Sequence, residues 1–165
     1  MRILQSPNEL SRDCHDYDTI FLAGGISNCP DWQSDVIRML DDKLERHDIL
    51  VINPRRIGDL ARDTNDAVEQ IKWEIAYIKY TMYFLFWFPE ETVCPITLFE
   101  LGKIAQMLSN EQSDYNGTDY ISIGIHPNYS RKLDIETQLP YILPDIQFQY
   151  SLEDLVDDII EKVNP

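Results

Sequence analysis

A chain of 165 residues with a formal net charge of −15 carries an acidic surface, which repels polyanions and excludes extended contact with a DNA or RNA backbone. Apolar residues at 44% and aromatics at 11% exclude a disordered chain and are enough to bury a core. No run approaches the roughly 20 apolar residues of a membrane span. Cys14, Cys29 and Cys94, with His15, His47 and His126, show no paired spacing, so the sequence predicts no disulfide framework, no metal and no cofactor. The first residues lack the apolar core of a signal peptide, and a cytoplasmic location is the default expectation. The length suits a single domain over residues 1–165.

In chain order, residues 2–6 fit a short edge strand, and Asn8 to Tyr17 reads as a polar loop or helical turn. Thr19 to Ala23 is a compact apolar strand that Gly24-Gly25 ends. A helix follows, opened by Pro30 or Asp31, with Val36, Ile37, Leu40 and Leu44 on its apolar face. Asp48 to Asn53 is a second strand, stopped by Pro54. A second helix, capped by Asp63 or Thr64, is expected to bury a stripe of Val68, Ile71, Ile75 and Ile78, with Glu74 bordering it.

Met82 to Phe88 is a continuous apolar run, four of its seven residues aromatic, and predicts a strand buried on both faces. A loop with Pro89 and Pro95 leads to a helix from Ile96 to about Leu108. Ser109 to Thr118 reads as a loop, Tyr120 to Ile125 as a strand, and Leu133 to Ile142 as a short helical or irregular piece. Ile146 to Tyr150 alternates like an edge strand, and Ser151 caps a last amphipathic helix. The pattern predicts an α/β fold, doubly wound, with a mostly parallel five-stranded sheet. Counted from the strand at Thr19, its order is 2-1-3-4-5, as in flavodoxin-like and Rossmann-like folds.

In such a sheet, ligands bind beyond the carboxyl ends of the strands. The loops there hold Gly24, Gly25 and Ser27, then Asn53, Arg55 and Arg56, then residues 89–97, and then His126 to Arg131. Glu74 and Glu100 come from helices at the same rim. A glycine pair before a helix lets a ligand approach the backbone, or simply makes a tight turn. Trp32 can stack on a base or pack. Arg55 and Arg131 can bind phosphate or carboxylate, or serve in surface ion pairs. Thr97-Leu-Phe-Glu100 matches a capping box with Thr97 as N-cap, the structural alternative to a functional Glu100. Two carboxylates at one cleft suit glycosyl chemistry, one attacking the anomeric carbon and the other serving the leaving group.

These residues carry a resemblance. Ile20-Phe-Leu-Ala-Gly-Gly-Ile26, Asp31-Trp-Gln33, Asn53-Pro-Arg-Arg56, Trp73-Glu74 and Phe99-Glu-Leu-Gly102, in this order, resemble the nucleoside 2-deoxyribosyltransferase-like family and the related nucleoside 5′-monophosphate N-glycosidases. The resemblance runs from about Ile20 to Arg131. It implies cleavage or transfer of the N-glycosidic bond of a (deoxy)nucleoside or nucleoside 5′-monophosphate. It implies Glu100 as the nucleophile at C1′, Glu74 as the partner that assists the leaving base, and a sugar or phosphate site at Gly24, Gly25 and Ser27. The segment from Asn53 to Arg56 falls where the family approaches the base. The resemblance also implies a small-molecule nucleoside or nucleotide as partner and a homodimer or larger homo-oligomer. Phe21 stands where family members often carry Tyr, and Met82 where many have Asp. Two other functions fit the composition: a catalytically silent nucleotide sensor using the same pocket, and an acidic decoy for a protein partner.

With Glu100 the nucleophile, the two carboxylates have to differ in protonation. Burial beside Ile71 and Ile78 is expected to raise Glu74, while the helix start keeps Glu100 charged.

Overall fold

The structure is a computed structural model and describes residues 1–9, 16–56, 64–109 and 116–164. The elements run β1 (Arg2–Gln5), β2 (Asp18–Gly24), α1 (Trp32–Lys43), β3 (Ile49–Asn53), α2 (Thr64–Ile78), β4 (Tyr83–Phe88), α3 (Pro95–Leu108), β5 (Ile121–Ile125), α4 (Lys132–Gln138), β6 (Phe148–Gln149) and α5 (Leu152–Val163). The sheet has six strands in the order β1-β3-β2-β4-β5-β6, and every pairing is parallel. This is the expected five-strand order with β1 added at the edge, where Ile3 and Leu4 lie opposite Val51 and Ile52.

Period-two alternation sends the side chains of each central strand into two cores. On β4, Phe84, Phe86 and Phe88 enter the core beneath α3 and α4, together with Phe21, Ala23, Leu101 and Ile104. Tyr83, Leu85 and Trp87 enter the opposite core, against Val36 and Leu40 of α1 and Leu155 and Ile159 of α5. Each fully buried Phe here contributes about 1.5–3 kcal/mol. Burial on both faces is why the run reads as unbroken apolar sequence and not as alternation.

The helix starts follow local chemistry. Asp31 caps α1, its carboxylate accepting from the Ser34 N–H at 3.2 Å. Ser151 caps α5, its Oγ accepting from the Asp154 N–H at 3.0 Å. The α2 helix begins at Thr64; Asp63, the other expected cap, lies outside the described residues, as do 10–15 of the first loop and 110–115 of the loop before β5.

Four expectations change. Met82 is 44% exposed and precedes β4, which begins at Tyr83. β6 shortens to Phe148 and Gln149 because it pairs with β5 over two residues only. Thr97 is not an N-cap. Cys94 occupies that position in the left-handed region, with φ 49°, Pro95 is the first helical residue, and Thr97 is buried inside the first turn. Proline's fixed φ and absent N–H suit that first position and override the capping-box pattern. Finally, Val68, Ile71 and Ile75 are exposed, and only Ile78 of the expected stripe is buried. Helical periodicity gives the apolar face of α2 but not what covers it.

Candidate functional site

The turn after β2 is built by packing. A Cβ on Gly24 would collide with the Trp32 ring and the Trp87 carbonyl, and one on Gly25 would press on Thr92, Pro89 and Cys29. Trp32 is buried, and its indole N–H donates to the Gly25 carbonyl at 2.8 Å. Arg55 reinforces the turn from the end of β3. Its Nε donates to Gln33 Oε1 at 2.8 Å, its Nη2 donates to the Pro30 carbonyl at 3.0 Å, and it pairs with Asp31 at 3.1 Å. Buried Asn53 accepts from the Arg55 backbone N–H at 3.0 Å.

In front of this turn lies a cavity of about 280 Å³, beyond the carboxyl ends of β2 and β4. Gly24, Gly25 and Ser27 form one wall. Gln70, Ile71 and Glu74 of α2 form a second, and Thr97 and Glu100 of α3 a third, with Thr92 and Cys94 at the loop between β4 and α3. The structure therefore brings together five of the residues singled out in the sequence: Gly24, Gly25, Ser27, Glu74 and Glu100. Trp32, Asn53 and Arg55 do not line the cavity; they frame the turn from behind, with their polar groups already engaged. Arg131 lies beyond α3, in a separate groove of about 480 Å³, and faces Asp134 at 3.5 Å.

The two carboxylates are half-buried and differ in their partners. Glu74 Oε1 accepts from Gln70 Nε2 at 2.7 Å. Burial raises its carboxyl above the ordinary range, and the Gln70 bond and the Arg56 charge offset part of that rise. Glu100 has no hydrogen-bond donor among the described residues. Burial and then the Glu74 charge push its carboxyl up to about 7, against the pull of Lys103. This corrects the expectation that the helix start would keep Glu100 readily charged. Counted from Pro95, Glu100 is the sixth residue of α3, past the first turn where the dipole acts. Burial is the leading cause of the rise in both carboxyls.

Sequence reasoning missed Gln70. Its Oε1 accepts from Ser6 Oγ and from Arg56 Nε, each at 2.6 Å, and its Nε2 donates to the Pro54 carbonyl at 2.9 Å as well as to Glu74. The available signal was its place four residues before Glu74, one helical turn away on the same face. Tyr129 was also missed. Its hydroxyl donates to the Val93 carbonyl at 2.6 Å and ties down the loop that carries Cys94.

An α/β fold with a parallel sheet, and a cavity beyond its strand ends that two carboxylates enter from adjacent helices, defines a class of small-molecule site. The family model described as nucleoside 2-deoxyribosyltransferase like matches residues 17–111, more than half of the chain and a span that holds both carboxylates. The chain belongs to the nucleoside 2-deoxyribosyltransferase-like family. No curated protein matches it.

Proposed function

We propose that this protein, acting as a single domain, breaks the N-glycosidic bond of a nucleoside and passes the sugar to water or to a second base. The observation that carries the reading is the pair of half-buried carboxylates, Glu74 and Glu100, entering one cavity of about 280 Å³ against the Gly24-Gly25 turn. Membership of the family supports the substrate class.

In this reading, the Glu100 carboxylate attacks C1′ of the sugar. A C1′–O bond forms while the C1′–N bond breaks, and its electron pair leaves with the base. Glu74 delivers a proton to the departing nitrogen or directs one there. Water or an incoming base then attacks C1′ from the face the first base left, giving its proton to Glu74, as the C1′–O bond breaks and the Glu100 carboxylate is released. Gly24, Gly25 and Ser27 offer backbone and hydroxyl groups to the sugar.

The lining favours an uncharged nucleoside over its 5′-monophosphate. Among the described residues, the cavity wall carries two carboxylates and no Lys or Arg. Arg55 is engaged behind the turn and Arg56 is held by Gln70. A phosphate would enter against like charge, with no cation to meet it among the described lining residues.

The test is incubation with a panel of nucleosides and nucleoside 5′-monophosphates, followed by chromatography for released base. Release is expected from nucleosides in preference to monophosphates. Glu100→Gln keeps the side chain's size and removes the nucleophile, so turnover should fall by roughly 10³-fold or more. A folded Glu100→Gln protein with undiminished turnover would reject the assignment.

A further inference from the structure

Gln70 does more than fill the wall of the cavity. Arg56 Nε can only donate and the Pro54 carbonyl can only accept, so the amide has one permitted orientation, with its oxygen toward Arg56 and its nitrogen toward Pro54. Ser6 Oγ adds a second donor to the same oxygen at 2.6 Å. The amide is anchored at three points, to residues following β1 and β3, and its remaining N–H is left for Glu74 Oε1 at 2.7 Å. A carboxyl oxygen that accepts a hydrogen bond from an amide is the poorer place for a proton. Any proton Glu74 carries therefore belongs on its other oxygen.

We propose that Gln70 is a positioning residue for Glu74, reserving Oε1 as an acceptor so that Oε2 is the oxygen that serves the leaving base. The inference rests on the glycosidic reading given above and deepens it by naming what orients the acid. The charged and titratable groups around Glu74 fit this arrangement. Arg56 acts on it from the segment after β3, and Glu100 faces the same cavity from α3, with Lys103 acting on Glu100. The Cys94 thiol at the cavity edge is pushed up to about 12 by burial and stays neutral. The lining residues of β2, Phe21, Ala23 and Gly24, do not titrate.

Two substitutions separate positioning from packing. Gln70→Leu removes the whole amide. Gln70→Glu keeps an acceptor for Ser6 and Arg56 but cannot donate to Glu74. Both should lower base release at least about tenfold for nucleosides whose base needs a proton to leave, and less than about threefold for an activated nitrophenyl glycoside of the same sugar. In a Glu74→Gln background, Gln70→Leu should cost less than about twofold, because its effect acts through Glu74. A readout independent of turnover is carbon-13 NMR titration of labelled glutamate carboxyls, with Glu74 assigned by the signal lost in Glu74→Gln. Its midpoint should rise in both Gln70 variants. An unmoved midpoint, or an equal loss for both leaving groups, would overturn the proposal. Absence of base release from every substrate by the unaltered protein would instead overturn the glycosidic reading, and the titration would still decide the role of Gln70.

Discussion

At the scale of single residues, Glu100 is a carboxylate held under electrostatic tension. It is half-buried, with no donor among the described residues, beside a second carboxylate, and its carboxyl is pushed up to about 7. Two pH dependences follow. The nucleophile must be ionised, so kcat/KM should rise with pH through about 7, a limb that Glu100→Gln abolishes. For stability the sign runs the other way. Between the ordinary carboxylate range and about pH 7 the folded chain keeps a proton that the unfolded chain has released, so stability falls as pH rises across that window. Glu100→Gln removes the penalty. It should stabilise the fold by roughly 1–3 kcal/mol at pH 8 and by little at pH 4, read from denaturant melts at both values. Equal stabilisation at the two pH values would show that the charge is not under strain.

At the scale of elements, the loop from β4 to α3 decides where Glu100 points, because it sets where α3 begins. Cys94 in the left-handed region and Pro95 behind it fix the helix start. The Tyr129 hydroxyl holds the loop through the Val93 carbonyl, while its ring packs on Phe88 with centroids 5.3 Å apart. Tyr129→Phe keeps the ring and loses the bond. It should cost about 1 kcal/mol of stability in denaturant unfolding. If the loop sets the cavity wall, KM for the nucleoside should rise with kcat less affected. A variant with both quantities unchanged would show that the loop is held by packing alone.

At the scale of the whole molecule, several exposed apolar side chains lie on the two helices that carry the carboxylates. Val68, Ile71 and Ile75 of α2 and Ile96 and Phe99 of α3 are exposed, Phe99 at 71%, and Ile71 and Ile96 also line the cavity. Apolar surface beside a site costs free energy unless something covers it. We propose a homo-oligomer, as the family resemblance implies, with this face at the interface, so that a second copy borders the cavity. Light scattering should give a mass at least twice the 19.4 kDa of one chain, and the double variant Ile71→Glu, Phe99→Glu should return it to the monomer. A monomer at high concentration in the unaltered protein would refute this. No helix among the described residues is long and apolar enough to cross a membrane.

The sequence by itself determined the fold class, the order of five of the six strands and the family. A run such as Met82 to Phe88 has few alternatives once it is seven apolar residues long, and parallel units wind in one hand. It also pointed to Glu74 and Glu100, because a carboxylate beside apolar helix positions is costly unless it is used. Tertiary structure alone decided the roles around them. Trp32, Arg55 and Asn53 became the frame of the turn because their hydrogen-bonding partners, Gly25, Pro30, Gln33 and the Arg55 backbone, are fixed only when β2, α1 and β3 meet. The anchors of Gln70 are Ser6, 64 positions away, and Pro54 and Arg56, 16 and 14 away, separations over which periodicity carries no information. The protonation of Glu100 likewise depends on which charges and donors stand across the cavity. A pKa is set by burial and neighbours in space, and a linear sequence places neither.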